Sequence, residues 1–157
     1  EMKKVIAIIM TVFMMIGLAA CGAADNTEQQ KEITDIAVYD DTQADILTAE
    51  FYDLEDGTPV VRVHFKFTNN QADGLYMYEC FAVRAFQNDT QLDDITNVNE
   101  DSETGDSAEL IREVKNGASL EGSYVFKLTD NSNVEVRVCT PTADEDLLAQ
   151  KIFSKQE

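Results

Sequence analysis

The feature that most constrains the fold is a strict alternation of apolar and polar side chains with a period of two residues. Within residues 60–67, one face carries Val61, Val63, Phe65 and Phe67, and the other carries Arg62, His64 and Lys66. Successive side chains of an extended strand point to opposite sides of a sheet, so this period predicts a strand. One apolar and one charged face predict an antiparallel strand that is buried on one side.

Similar segments follow one another between turn signals such as Asp56-Gly57 and Asn116-Gly117. The predicted strands are residues 45–52, 60–67, 77–86, 91–98, 109–114, 120–128, 134–139 and a last one at 152–153. Residues 144–150 are left open as a helical turn or a strand. A short leading strand is expected around Ile36 and Val38. Seven or eight short strands are typical of an antiparallel β-sandwich. The sequence therefore predicts an all-β fold, with a closed barrel as the alternative.

The N-terminus has the pattern of an export signal. Lys3 and Lys4 precede an apolar run over residues 5–17, and small residues lead to Cys21. The run is shorter than the roughly 20 residues that a membrane-spanning helix needs. Leu18-Ala19-Ala20-Cys21 resembles the lipobox of bacterial lipoproteins, which implies cleavage before Cys21 and a diacylglycerol group on its thiol. An uncleaved anchor helix is the alternative.

This motif predicts three parts of the chain. Residues 1–20 are predicted to be a lipoprotein signal peptide, residues 21–43 the lipidated cysteine and a flexible tether, and residues 44–157 the sandwich domain. The formal net charge is −18. Such a charge repels nucleic acid phosphates and anionic lipid, so both are excluded as partners, whereas cations and basic proteins are attracted.

Three segments resemble a family of immunoglobulin-like lipoprotein domains in Gram-positive bacteria: residues 61–70, residues 81–89 with Leu92, and residues 116–119. The resemblance covers residues 44–139. It implies an immunoglobulin-like sandwich held by lipid on the outer face of the cell membrane. The family has no established function, so no catalytic residue is implied. Asp89 stands where the family has glycine, which tolerates a left-handed turn better.

No constellation of catalytic side chains stands out, and no cofactor is expected. His64 is the single histidine and has a cation on either side, which disfavours its protonation as a catalytic base. Paired carboxylates, among them Asp93 with Asp94 and Asp144 with Asp146, fall in expected turns. Glycosidase chemistry needs two carboxylates across a cleft with one pKa raised by burial. A hydrolase of envelope glycans is therefore the least favoured alternative.

One acidic loop predicts a cation site. Oxygen-bearing side chains occur at alternate positions, which suits calcium; they are Asn97, Asn99, Asp101, Glu103 and Asp106. An EF-hand loop that started at Asn97 would need glycine where Ser102 stands, so only an irregular site fits. A calcium- or cation-responsive surface domain is the first functional alternative.

Cys80 and Cys139 remain after Cys21 is assigned to the lipid. Export to an oxidising compartment favours disulfides, but strand alternation predicts that both point outward, as free thiols or as a bridge across one outer face. Tyr76 and Tyr78 are outward aromatic candidates for a binding patch. The main functional prediction is a lipid-anchored extracellular module that binds a protein or an envelope polymer without catalysis, with its oligomeric state left open.

Overall fold

Eight strands lie within residues 34–97 and 108–155, which are the residues that the computed structural model describes. The elements are β1 (Ile36–Tyr39), β2 (Thr42–Asp53), β3 (Pro59–Asn69), α1 (Met77–Cys80), β4 (Ala82–Gln87), β5 (Thr90–Gln91), a 3-10 turn (Ala108–Ile111), β6 (Ala118–Lys127), β7 (Val134–Cys139) and β8 (Leu147–Phe153). They form two antiparallel four-stranded sheets of order β1-β2-β3-β6 and β5-β4-β7-β8. The predicted all-β sandwich is confirmed, and the barrel alternative is wrong.

The core lies between the two sheets. Its centre is built from alternate residues of β3 and β7, all at most 1% exposed: Val61, Val63, Phe65, Phe67, Val134, Val136 and Val138. Burial of each such side chain contributes about 1.5–3 kcal/mol to stability. The inward faces predicted for these two strands are therefore confirmed.

The predicted strand over residues 77–86 is wrong in its first part. Residues Met77–Cys80 form one helical turn, which the Phe81 amide closes by donating to the Met77 carbonyl at 3.0 Å. Pairing with β7 begins only at Ala82, opposite Cys139. Residues 77–81 have no strand partner in the described sheets, so a local turn satisfies backbone groups that a ladder leaves unpaired.

The predicted strand over residues 91–98 divides between the two sheets, and its last residue lies outside the described residues. β5 pairs with β4 over only two residues. The chain then crosses to the edge of β6, where the Ile95 amide donates to the Val125 carbonyl and the Lys127 amide donates to the Asp93 carbonyl, both at 2.9 Å. This crossing covers part of the β6 edge, which protects it from pairing with another chain.

One further expectation needs correction. Residues 108–111 form a 3-10 turn where an extended piece was predicted, although Val114 still pairs with Leu75 as an isolated bridge. Of the two alternatives for residues 144–150, helix or strand, the strand is observed from Leu147, where β8 begins and pairs with β7. The last strand expected at 152–153 is the end of β8.

Strand β1 lies ahead of the predicted domain boundary at residue 44. It pairs with residues 42–45 of β2, and Thr34 pairs in parallel with Ala149 of β8. The sandwich therefore includes residues that were predicted to belong to the tether. The leading strand expected around Ile36 and Val38 is present, and both side chains are exposed.

Two buried amide side chains hold the loops at the ends of β3 and β4. Asn69 donates to the carbonyls of Asp73 and Val114, both at 2.7 Å, and accepts from the Gln71 amide. Gln87 donates to the Ser132 carbonyl at 2.9 Å, and its oxygen accepts from the Thr129 amide at 2.8 Å. Because a buried polar group is costly without partners, these amides fix the path of the loops.

Left-handed backbone conformations close two hairpins. Asn88 and Asp89 join β4 to β5 with φ of 48° and 61°, and Asp40 and Asp41 join β1 to β2 with φ of 45° and 57°. Two-residue hairpin turns favour positive φ at both positions because their twist matches that of the strands. Asp89 therefore adopts the turn for which the resembled family has glycine.

Candidate functional site

A recess of about 320 Å³ opens on the side of the sandwich where β4 lies near β6. We call it the Arg84 cleft. Its lining combines aromatic and charged side chains from five separate parts of the chain: Tyr78, Arg84, Asp94, Tyr124, Thr142 and Glu145. The volume is at the lower end of the range for small-molecule sites, so it suits a single sugar unit or a single side chain.

Arg84 lies in this cleft because β4 alternates. Val83 and Ala85 point into the core, so Arg84 points away from it and lies opposite Arg137 of β7. Like charges in directly opposite positions repel. Arg84 is balanced by Glu145, with 2.7 Å between Nη2 and Oε1, and Arg137 by Glu135. Both members of the Arg84 pair are partly exposed, so a ligand can reach them.

Arg137 has a second partner on the same outer face. Its guanidinium carbon lies 4.4 Å from the centre of the Phe86 ring, within the range of a cation–π contact. This contact holds Arg137 against its own sheet. Arg84 makes no ring contact of this kind within the described residues, and its guanidinium forms part of the cleft lining.

Tyr124 forms a rigid wall of the cleft. Its ring packs edge-on against Phe65, with 5.6 Å between ring centres, and is stacked with Phe126 at 6.3 Å. Burial raises the pKa of Tyr124 to about 12, with a further rise from the nearby Asp94 carboxylate and a smaller opposing effect of Arg84. The phenol is therefore protonated at neutral pH, where its hydroxyl can donate a hydrogen bond.

The exposed aromatic side of the cleft comes from α1. Tyr78 is 53% exposed, and its ring lies 5.4 Å from that of Tyr76. Of these two residues, which were expected to form a binding patch, Tyr78 lines the cleft and Tyr76 lies beside it. The helical turn, which the sequence did not predict, thus presents the aromatic ring to the recess.

The residues of the cleft are far apart in the sequence. Arg84 and Glu145 are separated by 61 positions, and Asp94 reaches Tyr124 only because the chain crosses from β5 to β6. Asp94 was expected in an exposed turn and Arg84 on an outward strand face, and Glu145 was not singled out. No local motif connects them, so the cleft itself was missed.

Only the first residue of the predicted cation loop lies within the described residues. Asn97 is described, whereas Asn99, Asp101, Glu103 and Asp106 lie outside the described residues. Among residues 34–97 and 108–155, no group of three or more His, Cys, Asp or Glu side chains is placed to hold a metal ion. The calcium hypothesis stays a prediction.

The two domain cysteines are free thiols, and both are buried, although strand alternation predicted outward side chains. Cys80 is 7% exposed and Cys139 is 6% exposed. Cys80 belongs to the helical turn, so strand alternation does not apply to it. Cys139 ends β7 at an irregular register with β8, and the loop that follows lies close to its thiol. Cys21, the predicted lipidation site, lies outside the described residues.

Different surroundings raise the pKa of each thiol. Burial is the main cause for both. Glu79 adds to the effect at Cys80, and Glu145 adds to it at Cys139. The charged residues that change the pKa of one thiol have no effect on the pKa of the other. The two side chains therefore lie in separate environments.

His64 takes no part in the cleft. It lies on the outer face of the first sheet, with 3.7 Å between its Nε2 atom and the Glu50 carboxylate, and its side chain is 31% exposed. This position agrees with its predicted polar face. Within the described residues, no helix has both the length and the apolar character needed to cross a membrane.

A family model matches residues 21–139 of the chain. Its description is a domain of unknown function, DUF5067, and the chain belongs to this family. The match includes all strands of the sandwich except β8. A comparison with curated proteins found no match.

Three solved structures share the fold. A lipoprotein candidate from Staphylococcus aureus is 15% identical, with a TM-score of 0.61, over 78% of this chain and 90% of that one. A protein from Enterococcus faecalis is 16% identical, with a TM-score of 0.53 over the same shares. A lipoprotein candidate from Bacillus subtilis is 19% identical, with a TM-score of 0.50, over 78% of this chain and 38% of that one.

Proposed function

We propose that this protein is a lipid-anchored extracellular lipoprotein whose sandwich binds a protein or a polymer of the cell envelope, without catalysis, through the Arg84 cleft. The observation that carries the proposal is the lining of the cleft, where an exposed tyrosine, a partly buried tyrosine and a partly exposed ion pair meet. Binding sites commonly combine aromatic side chains with a few polar groups that orient the ligand.

The N-terminal sequence and the structural neighbours support the proposed location. Two of the similar structures are lipoprotein candidates from Gram-positive bacteria, and Cys21 has the sequence context of a lipidated cysteine. Two acyl chains give a stable anchor where a single chain gives a marginal one. The immunoglobulin-like relation that the resemblance implies is part of this proposal.

The chemistry of the cleft favours binding over proton transfer. A catalytic acid or base works best when its pKa lies near the operating pH. The pKa of Tyr124 is raised to about 12, far from neutrality, so its hydroxyl holds a ligand rather than exchanging a proton with it. Asp94 and Glu145 supply acceptors for hydroxyl or ammonium groups, and Tyr78 supplies a flat apolar face.

The test measures capture of envelope components by the full-length protein. Crosslinking on intact cells and sedimentation with purified cell-wall polymer are compared for the unmodified protein and for Tyr78→Ala and Arg84→Gln. We expect both variants to reduce capture about tenfold or more, since each removes a cleft contact. Crosslinking identifies a protein ligand and co-sedimentation identifies a polymer.

Val38→Ala is the matched control for this experiment. Val38 is 61% exposed and lies on β1, outside the cleft lining. It should leave capture unchanged. Equal capture by the Tyr78→Ala variant, or crosslinks only to a random set of neighbouring lipoproteins, would contradict the proposal. Thermal unfolding with calcium and with a chelator tests the cation alternative, for which we expect an unchanged midpoint.

A further inference from the structure

One part of β2 has an open backbone edge. β3 pairs with β2 along most of its length, but β1 pairs with it only over residues 42–45. From residue 47 to residue 51, the side of β2 that faces away from β3 has no strand partner among the described residues. Such an edge presents amide and carbonyl groups that can pair with an added strand.

A groove of about 650 Å³ runs along this edge, between β2 and β8. We call it the β2–β8 groove. Its floor is apolar, because Ala49 and Phe51 of β2 and Phe153 of β8 are core-facing side chains that are only partly buried. Ile152 on its rim is 58% exposed. At this flank the core therefore lacks a covering strand.

Lys151 fixes the closed end of the groove. Its ammonium group donates to the carbonyls of Ile46, at 3.0 Å, and Leu47, at 2.7 Å, and lies 3.2 Å from the Asp35 carboxylate. Ile46 and Leu47 lie at the irregularity in the β2–β3 register. This contact joins β8 to β2, so the groove is formed before any ligand arrives.

We propose that the β2–β8 groove binds an extended, basic segment of another protein, which adds as a strand beside residues 47–51 of β2. The open edge requires an extended backbone, and strand addition is an established mode of peptide recognition. Five residues of strand span about 17 Å. Alternate side chains of the added strand would then cover Ala49, Phe51 and Phe153.

Charge complementarity selects the partner. The other alternate side chains of the added strand face the side of β2 that carries Glu50, whose side chain is 63% exposed and lies 3.7 Å from His64. Lys155 on the groove rim is a cation, so the attraction of a basic segment comes from Glu50 and from the charge of the whole chain. The whole chain has a formal charge of −18, which steers a basic segment toward it. A second copy of this chain carries the same charge and is repelled. The groove shares no lining residue with the Arg84 cleft, so this inference does not rest on the proposed function.

The probe is a seven-residue peptide of alternating lysine and valine with blocked ends, titrated against the full-length protein. Two analogues carry N-methyl groups, one on every valine and the other on every lysine. The amides of alternate residues point to opposite edges of a strand. We therefore expect one analogue to bind about tenfold more weakly or worse, and the other to bind like the parent peptide.

Protein variants locate the site. Thr48→Trp places a large ring in the groove, whereas Thr90→Trp alters an equally exposed threonine in β5. We expect the first to weaken binding about tenfold or more and the second to leave it unchanged, with both variants keeping the unmodified urea midpoint. Equal binding of both N-methylated analogues, or equal binding by Thr48→Trp, overturns the proposal. The proposal is also overturned if the free protein is a dimer and Thr48→Trp dissociates it.

Discussion

Two flanks of the sandwich, the Arg84 cleft and the β2–β8 groove, are both organised by a charged side chain, but the charges have different partners. Arg84 pairs with the side chain of Glu145, and its Nη1 atom donates to the Val83 carbonyl of its own strand at 3.0 Å. Lys151 pairs with Asp35 and donates to two carbonyls of another strand, those of Ile46 and Leu47. The two cations are similarly exposed, at 34% and 31%, but Arg84 is part of the cleft lining, whereas Lys151 joins β8 to β2 and is part of the framework.

The same comparison separates two modes of recognition. The cleft presents side-chain groups, among them a phenol, a guanidinium and two carboxylates, which select a ligand by its functional groups. The groove presents a strand edge above apolar side chains, which selects a ligand by its extended backbone. One small domain can thus hold two partners that do not compete, because the two sites have no residue in common.

The largest expected effect concerns the cleft at high pH. Below about pH 10, Tyr124 is protonated in both the folded and the unfolded state. Above it the unfolded chain ionises first, because the folded-state pKa is raised to about 12. The free energy of unfolding should therefore fall as pH rises from about 10 to about 12, by about 2–3 kcal/mol.

Urea unfolding across this pH range measures the effect. Tyr124→Phe should lack this part of the pH dependence, since it has no phenol to ionise. Tyr78→Phe, at an exposed position, should behave like the unmodified protein. A Tyr124→Phe variant that loses stability as steeply as the unmodified protein would show that the phenol is not buried in this way.

The second effect concerns the groove. Lys151→Met keeps the length of the side chain but removes its three donors, so the Ile46 and Leu47 carbonyls lose a charged partner. We expect a loss of about 1–2 kcal/mol in the free energy of unfolding, because the site is only half-buried and water replaces part of the interaction. Urea unfolding of Lys155→Met, an exposed position, supplies the control and should differ from the unmodified protein by less than about 0.5 kcal/mol.

Removal of a charged partner in the Arg84 cleft should have a smaller effect on the free energy of unfolding. Glu145→Gln removes the charge that pairs with Arg84, but the pair is exposed to solvent, so we expect a loss of about 0.5 kcal/mol or less. The difference in the free energy of unfolding between Glu145→Gln and the unmodified protein should become smaller as salt is added. Glu79→Gln, which alters an exposed glutamate on α1, is the control. A loss as large as that of Lys151→Met would remove the distinction between the two flanks.

The smallest expected effect is that of oxidation. Burial raises the pKa of both Cys80 and Cys139, which lowers the thiolate fraction that attacks a disulfide. Their charged neighbours differ as well. We expect no internal bridge after incubation with oxidised glutathione, measured as unchanged non-reducing mobility relative to Cys139→Ser. A faster-moving species that Cys139→Ser lacks would contradict this expectation.

The sequence predicted what depends on local periodicity. The alternation in β3 and β7 predicted both the strands and their buried faces, because a period of two is a property of a single strand. It did not predict the helical turn at Met77–Cys80 or the crossing to the β6 edge, since both depend on which distant strand supplies a hydrogen-bond partner. The cleft was missed for the same reason.

The buried amides of Asn69 and Gln87 have a consequence for how such a domain changes over evolutionary time. They hold their loops from the inside, through bonds to main-chain groups, so part of the path of each loop does not depend on its exposed residues. Substitutions there can alter what the domain recognises while its shape persists. Structures with the same fold are only 15–19% identical to this chain. Interior bonds that hold the loops allow this much change in the exposed residues.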